Sequence, residues 1–91
     1  MIQLLCRNRV VDFGRWWEIF ESHADAHKNS GLILVKLWRD TEDSNNVFFL
    51  FDLESLEKAR AFVSNPEAAE AARHSGVIEG ELHFLSVRNC Y

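Results

Sequence analysis

Ninety-one residues, 47% of them hydrophobic and 26% charged, describe one globular domain (residues 1–91) with a modest core and argue against disorder. Ten basic and fourteen acidic side chains leave a formal net charge of −4, which solubilises the chain and speaks against a nucleic-acid surface or an anionic-membrane binder. Seven Phe and three Trp must fill a core or an interface.

The two Cys, at positions 6 and 90, fall in the presumed first and last strands and lack metal-ligand spacing. They fit a reducing cytoplasm, and a bridge between the terminal strands stays open because strand neighbours approach closely enough. The first residues have no charged-then-apolar signal pattern, and no apolar run approaches the ~20 residues of a membrane span. A cytoplasmic protein without membrane or nucleic-acid partners is expected.

Ile2 to Val10 reads as a strand, with Ile2, Leu4 and Cys6 on one face and Gln3, Leu5 and Arg7 on the other. Asp12 is suited to cap a helix from Phe13 to about Lys28, whose apolar stripe is Phe13, Trp16 or Trp17, Phe20, Ala24 and His27. Asn29-Ser30-Gly31 ends it, with Gly31 or Asn29 in the left-handed cap. Leu32 to Arg39 is a second strand, and the polar run Asp40 to Asn46 is the loop of a hairpin. Its partner, Asn46 to Asp52, carries five consecutive apolar residues, three of them Phe, so it offers hydrophobic side chains to both sheet faces. Asp52 is expected to cap a helix from Leu53 to about Ser64. Asn65-Pro66 restarts a helix through His74, because a missing N–H is harmless in the first turn. A last strand runs from about Gly80 to Arg88, with Leu82 and Phe84 opposite Leu85 and Val87.

The order β-α-β-β-α-(α)-β with right-handed crossovers gives an α+β, ferredoxin-like fold: a four-stranded antiparallel sheet with the helices on one face. The other face still carries Phe, Leu, Ile and Val. A homodimer through sheet faces is the simplest cover.

Val10-Val11-Asp12-Phe13-Gly14-Arg15-Trp16-Trp17-Glu18-Ile19-Phe20 resembles the V-x-D-[FY]-x-x-W-x-x-x-F opening of dimeric α/β-barrel proteins, the relatives of antibiotic-biosynthesis monooxygenases and stress-responsive A/B-barrel proteins. The resemblance continues through Phe51 to Ala59, Phe62, Ser64 to Glu67, Ser75 to Ile78 and Glu81 to Leu85, nearly the whole chain. It implies a homodimer whose two sheets pack into a barrel, with a cavity between sheet and helices in each protomer. Members of this group include cofactor-free monooxygenases, haem-degrading enzymes, isomerases and proteins of unknown role, and fold does not select among them. The haem-degrading members use an Asn on the first strand, a Trp on the second helix and a His near the following helix. Asn8 and His74 match the first and last; the helix from Leu53 to Ser64 holds no Trp, which speaks against haem degradation.

His23 and His27, four residues apart on the first helix, share one face and are candidate proton acceptors. Without a third ligand they make a weak metal site, and neither metal nor cofactor is assigned. His83, between Leu82 and Phe84, is a third candidate base, against the plainer reading of a satisfied strand histidine. Trp16 and Phe20, with Trp38 and Phe62, are candidate walls of a pocket for a flat organic molecule, although aromatics at helical spacing are more often packing. His74 suits a helix C-terminus, and Cys6 reads as an inert buried thiol. The leading expectation is a homodimeric α/β-barrel protein that binds a small hydrophobic or aromatic molecule and acts as a cofactor-independent oxygenase or isomerase. The competing one is a non-enzymatic dimeric binding or stress-related module.

Overall fold

A computed structural model describes residues 1–88. Cys90, expected at the frayed end of the last strand, lies outside the described residues. The elements run β1 (Ile2–Val10), α1 (Phe13–Ser22), α2 (Ala24–Asn29), β2 (Leu32–Arg39), β3 (Asn46–Leu53), α3 (Leu56–Ser64), α4 (Pro66–His74) and β4 (Val77–Ser86). The strands form one antiparallel sheet in the order β2-β3-β1-β4, so both crossovers skip a strand as in a ferredoxin-like fold.

Strand alternation decides which side chains meet the helices. Leu4 and Cys6 of β1 stand opposite Phe51 and Phe49 of β3, and all four are buried, as is Val47. Trp16 of α1 packs on Phe49, with ring centres 5.4 Å apart, and Ala59 of α3 is fully buried. The intervening residues Leu5, Phe48 and Leu50 point to the bare face of the sheet, where no helix covers them.

Local signals set most boundaries. The Asp12 carboxylate accepts from the Arg15 backbone N–H, and Asn65 Oδ1 accepts from the Glu67 N–H ahead of the Pro66 turn. Gly31 takes the left-handed conformation (φ 74°) that closes α2.

Three expected boundaries differ. The first helix is broken at His23, because Ser22 Oγ and His23 Nδ1 both bond the Ile19 carbonyl, at 2.5 and 2.8 Å. Side-chain bonds of this kind compete with the helix's own ladder and bend it. The third helix starts after Ser55, whose hydroxyl caps Lys58 N, and not after Asp52, since Leu53 still pairs with Leu32 in the sheet. The last strand begins at Val77, which pairs with Val10, and ends at Ser86. Among the described residues no helix is long and apolar enough to cross a membrane.

Candidate functional site

Between the sheet and the helices lies a cavity of about 360 Å³. Its floor is Leu4, Cys6, Phe49 and Phe51; α1 and α2 contribute Trp16, Phe20, His23 and His27; α3 adds Phe62 and Val63. The fourth wall is the Ala-rich helix α4, through Ala68, Ala71 and Ala72. Leu82 of the edge strand β4, about half exposed (49%), stands at the rim with the exposed Glu67.

His23 stands at the break between α1 and α2 and lines the cavity. Its Nδ1 lies 2.8 Å from the Ile19 carbonyl oxygen, which can only accept, so in the neutral ring Nδ1 carries the proton. Nε2 is left with a lone pair, the arrangement a general base needs. His27, one turn on, is held among the rings of Phe20, Phe51 and Phe62, with centres 4.9, 5.3 and 5.5 Å away. Burial, with a smaller contribution from the neighbouring His23, lowers its pKa to about 4. His27 is therefore neutral at physiological pH and too weakly basic to take a proton efficiently from a poor acid. It serves as a polar-edged piece of the aromatic wall.

Two expected site residues lie elsewhere. Trp38 does not join Trp16, Phe20 and Phe62: it stands opposite Phe48 on the bare face, 39% exposed, with the Lys36 ammonium 5.5 Å from its ring centre. The cause is a β-bulge. Leu32 and Leu34 face the helices, but the register shifts between Leu34 and Lys36, so Leu37 turns inward and Trp38 outward. His83 also belongs to the bare face, opposite Leu5, because Leu82 and Phe84 take the inward positions. Its side chain is 57% exposed and sits 3.7 Å from Glu81, away from the cavity.

Other lining residues carry weaker sequence signals. Asn8 continues the inward parity of Leu4 and Cys6; besides its match to the first-strand Asn of haem-degrading proteins, its cue is a polar residue on an otherwise apolar strand face. With its amide oriented to satisfy both neighbours, Asn8 accepts from Trp16 Nε1 at 3.3 Å and donates to the Arg7 carbonyl at 2.9 Å. Gly80 makes room for it: a Cβ there would come within 3.0 Å of the Asn8 side chain. Burial pushes the Cys6 thiol up to about 12, so it stays protonated and acts as apolar wall. His74 ends α4 and its carbonyl accepts from Arg15 Nη2. Arg7 and Arg9 pair with Glu79 at 3.0 and 3.2 Å, so these guanidiniums form no open basic patch. Among the described residues no cluster of three His, Cys, Asp or Glu side chains is placed to hold a metal ion.

This layout, a four-stranded ferredoxin-like sheet with helices on one face, recurs in solved structures. A cofactor-independent oxygenase of Streptomyces nogalater, SnoaB, superposes with a TM-score of 0.78 at 14% identity, covering 98% of this chain and 94% of its own. An antibiotic biosynthesis monooxygenase-like protein of Bordetella bronchiseptica gives 0.76 at 15% identity, covering 97% of each chain. A similar protein of Deinococcus radiodurans gives 0.71 at 11% identity, covering 100% and 96%. The chain has the antibiotic biosynthesis monooxygenase-like fold. At these identities the likeness concerns architecture and carries no residue's role. No family model and no curated protein matches the sequence.

Proposed function

We propose that this antibiotic biosynthesis monooxygenase-like chain is a homodimeric, cofactor-independent oxygenase acting on a small aromatic molecule bound between sheet and helices. One observation carries the reading: an apolar, aromatic-walled cavity of about 360 Å³ contains His23 with Nδ1 anchored to Ile19 and Nε2 left as an acceptor. The oxygenase of Streptomyces nogalater with the same fold supports the reaction class. In this scheme Nε2 takes a proton from an acidic C–H of the bound ligand, and the surrounding rings exclude water. The resulting electron-rich anion reduces O₂ directly. Over the cycle a ring CH₂ and O₂ become C=O and H₂O, one oxygen atom going to carbon and the other leaving with both hydrogens. His27, Trp16 and Phe20 orient the ligand's plane. The proposed setting is a reducing cytoplasm, where a thiol such as Cys6 stays reduced.

The dimer in this proposal forms through the bare sheet faces. Its support is the uncovered apolar set Leu5, Phe48 and Leu50 with Trp38 and Leu85, the last two 39% and 43% exposed. Ion pairs between Arg7, Arg9 and Glu79 mark one end of that face and would form a polar rim.

Oxygen uptake with anthrone, a three-ring ketone with an acidic CH₂, tests the reaction. His23→Gln should lower kcat by about 10²- to 10⁴-fold, the usual contribution of a general base, with a smaller change in KM. Equal turnover in the variant would remove His23 from the mechanism. Ligand binding without oxygen uptake, on anthrones and hydroquinones alike, would favour the non-enzymatic binding module.

A further inference from the structure

The walls of the cavity are not held with equal strength. The sheet is fixed by its ladders, α1 buries Trp16, α3 buries Ala59, and α2 packs His27 among three rings. α4 lines the same cavity yet buries no side chain. It has nine residues, and isolated helices shorter than ~12–15 residues are marginal in water, so it relies on tertiary packing. That packing is concentrated at its C-terminal end. Ser75 is buried (4% exposed), the Val11 N–H donates to the Gly76 carbonyl at 2.9 Å, and Arg15 Nη2 donates to the His74 carbonyl at 2.6 Å. Gly76, at φ 85°, turns the chain against Val11 at the same place. Pro66 to Ala72, by contrast, send no hydrogen bond or ion pair to another helix or strand among the described residues. The Asn65 cap and the Glu70–Arg73 pair are both local.

We infer that α4 is a gate: it opens by local unfolding from its N-terminal end, while its C-terminal end stays tied, and so admits molecules to the cavity. Elements with few buried apolar contacts open at lower free energy than the rest of a fold, so the cavity is reached without global unfolding. The loose end lies where such a gate must open. Glu67, in the first turn of α4, stands at the rim with Leu82, and Leu82 is the sheet partner of Cys6. Cys6 therefore lies on the floor just inside the mouth, 2% exposed while α4 is closed. The gate is a property of the fold and stands whether or not the oxygenase reaction proposed above takes place.

Cys6 reports the opening. In the full chain carrying Cys90→Ser it is the sole thiol, and its rate of modification by methyl methanethiosulfonate measures how often the mouth opens. Below the unfolding transition that rate should not depend on urea, because local opening exposes little surface. Glu70→Gly, at an exposed position of α4, should raise it about three- to fivefold through the low helix propensity of Gly. Ala61→Gly, a comparable change at an exposed position of α3, should leave it within about 1.5-fold, since α3 is outside the opening unit. A rate that climbs with urea from the lowest concentrations would show that Cys6 is reached only by global unfolding and would overturn the gate. So would a rate that Glu70→Gly leaves unchanged, or one that Ala61→Gly raises equally, since the opening would then belong to another element. The urea dependence with both helices unsubstituted decides the matter alone should a variant not fold.

Discussion

At His27 the fold and the cavity compete for one imidazole. The charged ring is disfavoured by burial among Phe20, Phe51 and Phe62, so it protonates near pH 4, against an ordinary value of 6.5. The unfolded chain therefore takes up the proton first as pH falls. Stability present above pH 6.5 is lost progressively down to about pH 4. The ring is only partly buried, so the loss is discounted for screening to roughly 1–2 kcal/mol. Replacing it with Phe, a ring of similar shape, should flatten the unfolding midpoint across that window. Asp40, held below its usual value first by the Glu42 N–H, and Glu79, first by Arg7, add their own losses at more acid pH in both proteins. Melting curves collected from pH 4 to pH 7 decide it; identical slopes for wild type and His27→Phe would mean the ring titrates normally. The i, i+4 histidine spacing was legible in the sequence, but which ring has its Nδ1 anchored to the backbone was not. That depended on a carbonyl, Ile19, that no side-chain pattern reveals.

Among the elements, the caps at Asp12 and Asn65-Pro66 were legible because each meets one local demand of the backbone, Gly31 was one of two residues read for the left-handed cap, and the expected Asp52 cap gave way to Ser55. The break at His23 and the bulge in β2 were hidden for a common reason. Each interrupts a regular period at one residue, and the apolar run Leu32–Val35 suits either parity. The bulge decides that Trp38 joins the bare face. Leu34 lies opposite Phe51 and Lys36 opposite Leu50, so Val35 is the one residue without a place in the ladder. Deleting Val35 should therefore restore a regular strand with every other side chain on its present face. The expected cost is small, about 1 kcal/mol or less, typical of changes outside the core. Nuclear Overhauser contacts between Trp38 and Phe48 should persist in the deletion variant, and their loss would show that the bulge does not set the register.

For the whole molecule, a double-faced apolar sheet was legible from Asn46 to Asp52, but its division between faces was not, since Phe and Leu occupy both parities. The structure divides them: Val47, Phe49 and Phe51 are buried under the helices, and Phe48 and Leu50 face outward with Leu5. Substitutions at adjacent positions should then fail in different ways. Phe49→Asp places a charge in the protomer core beside Trp16 and should abolish folding, because the lost apolar burial, about 1.5–3 kcal/mol, is compounded by an unpaired buried charge. Leu50→Asp leaves that core intact and places the charge where the proposed partner sheet would sit. It should yield a monomer that keeps its circular dichroism spectrum, or a dimer weakened by about a hundredfold or more, as for a truncated interface anchor. Sedimentation velocity across micromolar concentrations reads this directly. A wild-type protein that stays monomeric there, or a Leu50→Asp dimer as tight as wild type, would mean that something other than a second copy covers the bare face.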